Sequence, residues 1–219
     1  MNATHFVTDE WPFHSRVVPV IVITHESQAI PLALALLKGG IDVMEVTLRH
    51  PAGLGGIAAV AREVPAMHVG AGTVTRAAEV TRVLQAGARF AFSPGLTSAL
   101  HEAARDQALP LMPGVMTPSE VMRARDWGYR TVKLFPAAQA GGLSMVQALA
   151  GPLPDVFLCP TGGISAQNAA EFLRQPNVAM VGGSWVTPQA LIEAGDWSAI
   201  TQLARQANDM ATQVRPEVA

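Results

Sequence analysis

Short apolar segments rich in β-branched residues alternate along the chain with alanine-rich segments of helical period. Several of the alanine-rich segments begin near Ser or Thr and end at Gly, as capped helices do; examples are 27–39, 75–87 and 117–128. A strand, a helix and a further strand in this order predict right-handed βαβ units and a parallel sheet. The eight predicted strands are residues 17–23, 42–48, 66–70, 89–93, 109–113, 130–135, 155–160 and 178–183.

Eight such units predict an α/β fold, a closed (β/α)₈ TIM barrel near the small end of that fold's size range. The rival is an open, doubly wound sheet, but the Gly-rich turn after its first strand is missing, since the first turn here reads THESQ. No linker or charge block divides the chain, so we expect one barrel domain over residues 1–219. Residues 1–16 are expected to form an extra N-terminal arm or helix, and residues 196–219 a final amphipathic helix with a polar tail.

The composition argues against several classes of protein. The net charge is −2 and basic runs are missing, so a nucleic-acid partner is not expected. The single cysteine, Cys159, allows no internal disulfide, which fits a reducing cytosol. The N-terminus is too polar and acidic for a signal peptide, and no apolar stretch approaches the roughly 18 residues of a membrane span. We therefore expect a cytoplasmic protein that binds neither nucleic acid nor membrane.

A lysine lies inside the predicted strand TVKLFP, residues 131–136, although a buried ammonium is costly unless it is paired. The chain has only two lysines, Lys38 and Lys133, and its other basic residues are arginines. A lysine at this position therefore suggests a need for an amine rather than a guanidinium. Side chains alternate along a strand, so Lys133 points into the barrel if Leu134 faces the helices. The alternatives are a lysine that extends to the strand end, or one that forms a structural pair with Glu45.

The predicted strand DVMEVTLRH carries two charged residues on one face. Glu45 and Arg49 share that face, while the other is apolar, with Met44, Val46 and Leu48. The apolar face should pack against helices, which leaves the two charged side chains in the interior. A structural ion pair for Glu45, or an arginine that has reached solvent, are the alternatives. A lysine and a carboxylate in one confined interior can exchange protons, as amine nucleophiles require.

Paired glycines follow the last two predicted strands, in CPTGGIS and VGGSWV. Gly162, Gly163 and Gly183 let the backbone approach a ligand closely, and helix-start N–H groups favour anions. In a TIM barrel the loops after these strands often form a phosphate site. Thr161 and Ser184 add hydroxyl groups there. The alternative is that these glycines only serve packing.

The remaining turns supply one more candidate. GAGTVT, residues 70–75, brings backbone near the barrel mouth, where Thr73 can hydrogen-bond a carboxylate; a capped turn is equally consistent. SPG at 93–95 and MPG at 112–114 are interpreted as rigid turns without a titrating group. None of the six histidines lies in an H-x-H or H-E-x-x-H arrangement, so a metal site is not predicted.

These motifs resemble the family of ketodeoxyphosphogluconate (KDPG) aldolase and 4-hydroxy-2-oxoglutarate aldolase. The resemblance runs from about Val17 to Gly195 and rests on VVPVIV, GGIDVMEVTLR, VGAGTV, FSPGLT, PLMPGVMTPSE, KLFPA, GPLPDVFLCPTGGIS and VGGSW. It implies a homotrimer of (β/α)₈ barrels that works without a metal ion or other cofactor. The implied reaction is reversible cleavage of KDPG, from the Entner–Doudoroff pathway, to pyruvate and glyceraldehyde 3-phosphate. Many members also cleave 4-hydroxy-2-oxoglutarate to pyruvate and glyoxylate.

The resemblance also implies a role for each matching residue. Lys133 resembles the Schiff-base lysine and Glu45 the general acid–base. Arg49 and Thr73 resemble the groups that bind the pyruvate carboxylate, and Thr161 resembles a hydroxyl contact that helps to set stereochemistry. The residues that would form the wall beside the Schiff base and the phosphate cradle are Phe135, Gly162, Gly163, Gly183 and Ser184.

Two positions depart from the family's usual pattern, and three other functions stay open. KLFPA carries Leu134 where many members have a second Phe, and the next residues place Ala138 where many have Glu. One rival function is an aldolase for the galactonate epimer of the substrate. A second is a phosphosugar isomerase or epimerase on the same barrel, which needs no lysine imine. A third is a protein that binds phosphorylated ligands without turnover.

Overall fold

The computed structural model describes residues 11–214, in which strands and helices alternate as an α/β fold. The strand segments are β1 Val17–Ile21, β2 Val43–Thr47, β3 His68–Gly72, β4 Ala91–Phe92, β5 Leu111–Met112, β6 Gly114–Val115, β7 Thr131–Leu134, β8 Phe157–Leu158 and β9 Val181–Gly183. A short 3₁₀ helix, Glu26–Gln28, precedes the first α-helix. The helices are α1 Ala29–Lys38, α2 Ala52–Glu63, α3 Ala77–Gln85, α4 Ser98–Asp106, α5 Pro118–Asp126, α6 Gly142–Ala150, α7 Ala169–Leu173, α8 Gln189–Ala194 and α9 Trp197–Val214.

The strands pair in parallel, in two curled sheets of order β5-β4-β3-β2-β1-β9 and β6-β7-β8. Isolated bridges join Leu158 to Val178 and Thr161 to Gly182, so the β8 region also contacts the β9 region. Between β5 and β6 lies only Pro113. Parallel pairing brings the carboxyl ends of the strands to one edge, where the loops that follow them meet.

The strand predicted at 109–113 extends further than the sequence suggested. A turn was expected at 112–114, but the chain resumes pairing as β6, with Gly114 opposite Lys133. Pro113 has no N–H for the ladder, which interrupts the strand, while its carbonyl still accepts the Lys133 N–H at 2.9 Å. The prediction of a closing turn was therefore wrong, and the continued strand supports the backbone at Lys133.

The predicted helix starts agree with the structure in part. Thr117 is a cap as expected: its Oγ1 accepts the Glu120 N–H at 3.3 Å, and the Glu120 carboxylate accepts the Thr117 N–H at 2.9 Å. Thr75 lies one residue before the cap of α3, where its N–H donates to the Glu79 carboxylate at 2.7 Å. The cap predicted at Ser27 was wrong, because this residue lies inside the 3₁₀ helix.

Residues 11–16 lead into β1 without forming a helix or strand. They contribute two rings to an aromatic cluster with centroid separations of 5.3 to 6.1 Å, formed by Trp11, Phe13, Phe90 and Phe92. Residues 1–10 of the expected arm and residues 215–219 of the expected tail lie outside the described part of the chain. The final helix predicted within 196–219 is confirmed as α9. None of the helices between residues 11 and 214 has the length and apolar character that a membrane crossing requires.

Two strands bury charged side chains among apolar ones. β2 and β7 are buried along their whole length, because both faces of a parallel sheet are covered. Met44 and Val46 are fully buried on one side of β2, while Glu45 lies on the other. Charged residues are almost never fully buried unless they are paired. A buried Glu45 therefore needs a partner, and the identity of that partner determines the chemistry available in this interior.

Candidate active site

Lys133 and Glu45 form a buried ion pair. Lys133 Nζ lies 3.0 Å from Glu45 Oε1 and 3.2 Å from Oε2, and the two side chains are 6% and 1% exposed. They belong to β7 and β2, which are not neighbours in either sheet, so the side chains meet across the interior. The alternative in which Lys133 extends to solvent is thereby excluded. The arrangement places a primary amine and a carboxylate at proton-transfer distance.

A cavity of about 390 Å³ adjoins the ion pair at the carboxyl ends of the strands. All ten residues predicted for the site line it: Glu45, Arg49, Thr73, Lys133, Phe135, Thr161, Gly162, Gly163, Gly183 and Ser184. Sequence reasoning missed three lining residues, which are Val20, Pro94 and Ile164. The structure thus brings the predicted residues together around one space, and their individual roles stay predictions.

Two aromatic rings lie beside the amine. Lys133 Nζ is 5.4 Å from the ring centroid of Phe92 and 5.5 Å from that of Phe135. Rings within about 6 Å of a cation stabilise it through their quadrupole, so both rings can stabilise an ammonium or a protonated imine. Phe92 was not predicted, although Phe90, Phe92 and Pro94 alternate along the chain and share a face, which is a signal that the sequence offered.

The Arg49 guanidinium is held at Nε by Thr47, a residue that was not predicted for the site. Its Nε donates to Thr47 Oγ1 at 3.3 Å, and the Thr47 hydroxyl donates to the Ile21 carbonyl at 2.9 Å. Arg49 is exposed and also lines the cavity, so it reaches solvent and the site together. A guanidinium held at Nε can still direct two terminal nitrogens at a carboxylate.

Thr73 follows β3 with an unusual backbone. Its φ is 60°, a left-handed conformation that is uncommon for a non-glycine residue and unusual for a β-branched one. Such backbone strain occurs disproportionately at functional sites, because the surrounding fold must enforce it. Thr73 lines the cavity in this conformation, and its role in binding a carboxylate stays a prediction.

The two paired-glycine turns use glycine for different physical reasons. Gly162 and Gly163 have φ values of 92° and 81°, which L side chains rarely adopt. Gly183 lies in β9, where a Cβ would overlap the Trp185 ring, so it serves close approach. Ser184 follows β9 directly and is exposed at the cavity edge.

The hydroxyl of Thr161 has a defined direction. Its Oγ1 donates to the Cys159 carbonyl at 3.3 Å, which leaves its lone pairs to accept hydrogen bonds. Cys159 itself is fully buried, and burial raises the pKa of its thiol to about 12. A thiol in this state is not a nucleophile at neutral pH.

Two of the histidines, His68 and His101, make contacts outside the cavity. Arg89 Nη1 donates to His68 Nδ1 at 2.9 Å, and burial together with the Arg89 charge lowers the pKa of His68. His101 stacks on Trp127 with a centroid separation of 4.7 Å. Across residues 11–214, no group of three or more His, Cys, Asp or Glu side chains is arranged to hold a metal ion.

The chain is similar to known aldolases along most of its length. The family model described as KDPG and KHG aldolase matches residues 10–203. The 2-dehydro-3-deoxy-phosphogluconate aldolase of Pseudoalteromonas atlantica is 52% identical and covers 92% of this chain and 97% of its own length. The KHG/KDPG aldolase of Escherichia coli is 48% identical and covers 87% of this chain and 90% of its own length.

A solved structure shows the same similarity in three dimensions. The crystal structure of KDPG aldolase from Legionella pneumophila, with pyruvate captured at low pH as a covalent carbinolamine intermediate, has a TM-score of 0.87. It is 46% identical and covers 89% of this chain and 94% of that chain. With a family model matched over most of the sequence and relatives at this identity, the chain belongs to the KDPG and KHG aldolase family.

Proposed function

We propose that this protein is a class I aldolase that cleaves KDPG to pyruvate and glyceraldehyde 3-phosphate. We extend the proposal to 4-hydroxy-2-oxoglutarate, which gives pyruvate and glyoxylate. The observation that carries the proposal is the buried pair of Lys133 and Glu45, 3.0 Å apart beside the cavity. Membership of the aldolase family supports the same reaction class, which is carbon–carbon cleavage by a lyase.

The first step is formation of a Schiff base. Glu45 accepts a proton from the Lys133 ammonium, and the neutral amine attacks the C2 ketone of the substrate to give a carbinolamine. Glu45 then returns a proton to the departing hydroxyl, water leaves, and a protonated imine remains on Nζ. The rings of Phe92 and Phe135 lie close enough to stabilise this cation. The carboxylate thus ends the step ready to accept a proton again.

The second step is cleavage of the C3–C4 bond. Glu45 takes the proton from the C4 hydroxyl, directly or through a water molecule, and the aldehyde carbonyl forms as the bond breaks. The two bonding electrons move to the protonated imine, which becomes a neutral enamine. Protonation of the enamine at C3 and hydrolysis of the imine release pyruvate and free Lys133 for the next cycle. Since the imine accepts the electrons, we propose a reaction that is independent of a metal ion or other cofactor.

The two ends of the substrate are proposed to bind different residues of the cavity lining. Arg49 and Thr73 are proposed to bind the carboxylate next to the ketone, since a guanidinium offers paired donors to two oxygens. The Thr161 hydroxyl would accept a hydrogen bond from a substrate hydroxyl. The glycine turns and Ser184 are proposed to hold the phosphate, whose binding energy can orient the reacting end. The proposed phosphate residues are Gly162, Gly163, Gly183 and Ser184.

The complete architecture is also part of the proposal. We infer that the sheets close into a single (β/α)₈ barrel domain over residues 1–219, with residues 1–16 as an arm. The bridges of Leu158 to Val178 and Thr161 to Gly182 support closure on one side, and the short gap at Pro113 supports it on the other. A homotrimer and a cytoplasmic location, expected from the family and from the single cysteine, complete the proposal. Analytical ultracentrifugation of the purified protein tests the trimer.

Trapping at the lysine separates this function from a phosphosugar isomerase or epimerase and from a protein that binds without turnover. Pyruvate and borohydride are added to the protein, and mass spectrometry of peptides locates the reduced adduct. We expect modification at Lys133 in the wild type and none there in Lys133→Ala, together with loss of KDPG cleavage. Lys38→Ala is the matched control, because Lys38 is the chain's second lysine and lies exposed at the end of α1.

The outcomes are distinct. An isomerase, an epimerase or a simple binder would give no trapped pyruvate in the wild type. Trapping that persists in Lys133→Ala and vanishes in Lys38→Ala would show that the wrong lysine has been assigned. Trapping that depends on Lys133, without KDPG turnover, would support the imine chemistry and redirect the search to another 2-oxo acid.

A further inference from the structure

Strand β3 ends in Gly70-Ala71-Gly72, and its two glycines are not explained by backbone conformation. Neither Gly70 nor Gly72 has a positive φ, unlike Gly162 and Gly163 after β8. Glycine in a strand interior weakens it, so such a glycine usually marks a place where another group approaches closely. The groups that approach these two glycines are different, and one of them is Glu45.

The space above Gly72 is occupied by the Glu45 carboxylate. A Cβ on residue 72 would overlap Glu45 Oε1 and would lie 2.6 Å from Cγ and 2.8 Å from Cδ. Real Cβ atoms essentially never come within 3.0 Å of such neighbours. Any other residue at position 72 would therefore compete with this carboxylate for the same volume.

The sheet register explains why the carboxylate lies there. Glu45 is opposite Gly70 in the pairing of β2 with β3, and Gly72 is opposite Thr47. The Glu45 side chain therefore leans two residues along the neighbouring strand, toward the carboxyl end where the cavity lies. This lean brings the carboxylate to Lys133 Nζ on β7.

We propose that Gly72 is a positioning residue for the aldolase reaction, because its missing side chain forms the niche that holds the Glu45 carboxylate against Lys133. The inference rests on the proposed function only in its kinetic part. The carboxylate is the far end of a flexible side chain, so it will yield before the backbone does. A methyl group at residue 72 should therefore leave the fold intact and move the proton-transfer group away from the amine and the substrate.

Gly70 offers a matched control on the same strand. A Cβ on residue 70 would overlap the Phe90 ring, which is fully buried within the aromatic cluster. That ring is enclosed and cannot move aside as a carboxylate can. Gly70→Ala is therefore expected to lower the melting temperature, with kcat of the folded fraction close to that of the wild type.

The test compares Gly72→Ala with Gly70→Ala and the wild type. For Gly72→Ala we expect kcat for KDPG cleavage to fall by about 100-fold, within the range that general acid–base catalysis contributes. The KM should change by less than about 3-fold, because substrate contacts elsewhere are untouched, as in loss of a group that acts in the transition state. Lys133 should still be trapped by pyruvate and borohydride. A kcat within about 3-fold of the wild type in folded Gly72→Ala would overturn the proposal.

A double-mutant cycle with Glu45→Ala tests whether Gly72 acts through this carboxylate. In the Glu45→Ala background the niche is empty, so Gly72→Ala should cost less than about 3-fold in any remaining activity. The same background should also reduce the effect of Gly72→Ala on the melting temperature. If Gly72→Ala alone does not fold, recovery of folding in the double variant supports the niche. A double variant that also fails to fold overturns the proposal, because the glycine would then serve the backbone.

The two proposals fail separately. If the wild type neither traps pyruvate nor cleaves KDPG, the proposed function fails. The melting temperatures of Gly72→Ala, Glu45→Ala and the double variant still test whether the Glu45 carboxylate occupies the space at Gly72. If the wild type is an active aldolase and the cycle is additive in both activity and melting temperature, the function stands and the niche is wrong.

Discussion

Two carboxylates three residues apart, Asp42 and Glu45, lie in opposite chemical situations. Asp42 directly precedes β2 and receives three hydrogen bonds, from the Ser15 hydroxyl at 2.6 Å, the Ser15 N–H at 3.0 Å and the His14 N–H at 2.9 Å. Burial disfavours its charged form, but these donors together with the nearby His68 hold the pKa of Asp42 below its usual value. All three donors belong to His14 and Ser15, so Asp42 fastens the segment before β1 to the sheet.

Glu45 is bound instead by a group that can itself react. Both of its oxygens face Lys133 Nζ, and its side chain lines a cavity in which Asp42 takes no part. A carboxylate that accepts two backbone N–H groups and a serine hydroxyl has no amine partner, whereas one that is paired with an amine beside an open volume can exchange protons with a substrate. The two acids therefore differ in the nature of the partner: fixed hydrogen-bond donors for Asp42 and an amine for Glu45.

Loss of the Glu45 carboxylate should reduce the activity more than loss of the Asp42 carboxylate or of the Arg49 guanidinium. Glu45→Gln keeps the shape of the side chain but cannot accept and return a proton. We expect kcat for KDPG cleavage to fall by about 10²- to 10⁴-fold, the usual contribution of general acid–base catalysis. Steady-state kinetics measure the loss, and exchange of deuterium from solvent into the pyruvate methyl group measures the proton transfer separately.

Asp42→Asn is the control for the Glu45 variant. It makes the same change of acid to amide three residues earlier, at a carboxylate outside the cavity. A kcat near that of the wild type is expected. Equal losses of kcat in the two variants would show that removal of either charge acts on the whole molecule, and the division into structural and chemical acids would then be wrong.

Loss of the Arg49 guanidinium should weaken binding of the substrate carboxylate. Arg49→Gln removes the cationic donors while Thr47 stays in place. Since hydrogen bonds to a charged group contribute about 1.5–3 kcal/mol, the KM for KDPG is expected to rise by about 10- to 100-fold. Arg49→Lys keeps the charge but loses the paired donors, so its KM should lie between those of the wild type and Arg49→Gln. An unchanged KM in both variants would remove Arg49 from substrate binding.

Much of the interior could be predicted because strand alternation is a strict rule. Lys133 and Glu45 were expected to point inward from the apolar residues on either side of them, and both do so. The same rule also pointed to Phe92, which was missed because no charge drew attention to it. Alternation therefore gives the direction of a side chain reliably once a strand has been recognised.

What could not be predicted depends on contacts between distant segments. The acids at 42 and 45 look alike in sequence, and Ser15, which separates their roles, lies 27 residues away from Asp42. The turn expected at MPG failed because Pro113 interrupts a strand without ending it. The glycine at 72 gave no sign of which neighbour needed its space. In each case the deciding fact is a partner that the local sequence does not contain.

A smaller effect tests the structural side of the comparison. Asp42→Asn removes the negative charge that the His14 and Ser15 donors face. In either orientation of the amide, its NH₂ group also meets an N–H donor in place of an oxygen acceptor. We expect the free energy of unfolding to fall by about 1–3 kcal/mol, the range for hydrogen bonds to a charged group. Chemical denaturation, with the m-value as a check on the two-state transition, measures it. A stability equal to that of the wild type would mean that the segment is held by its aromatic rings alone.

The smallest effect is the pH dependence of that stability difference. Because the pKa of Asp42 is lowered in the folded state, its stabilisation is fully present above the unfolded carboxyl value of about 3.9 and is lost as the pH falls through the folded value. The difference in unfolding free energy between wild type and Asp42→Asn should therefore be constant above about pH 5 and shrink below about pH 4. Other carboxylates with a lowered pKa, such as Glu120, also make the stability depend on pH. Their contribution is the same in both proteins and cancels in the difference. A difference that stays constant to low pH would assign the role of Asp42 to hydrogen-bond geometry rather than to charge, and its contrast with Glu45 would then be one of shape.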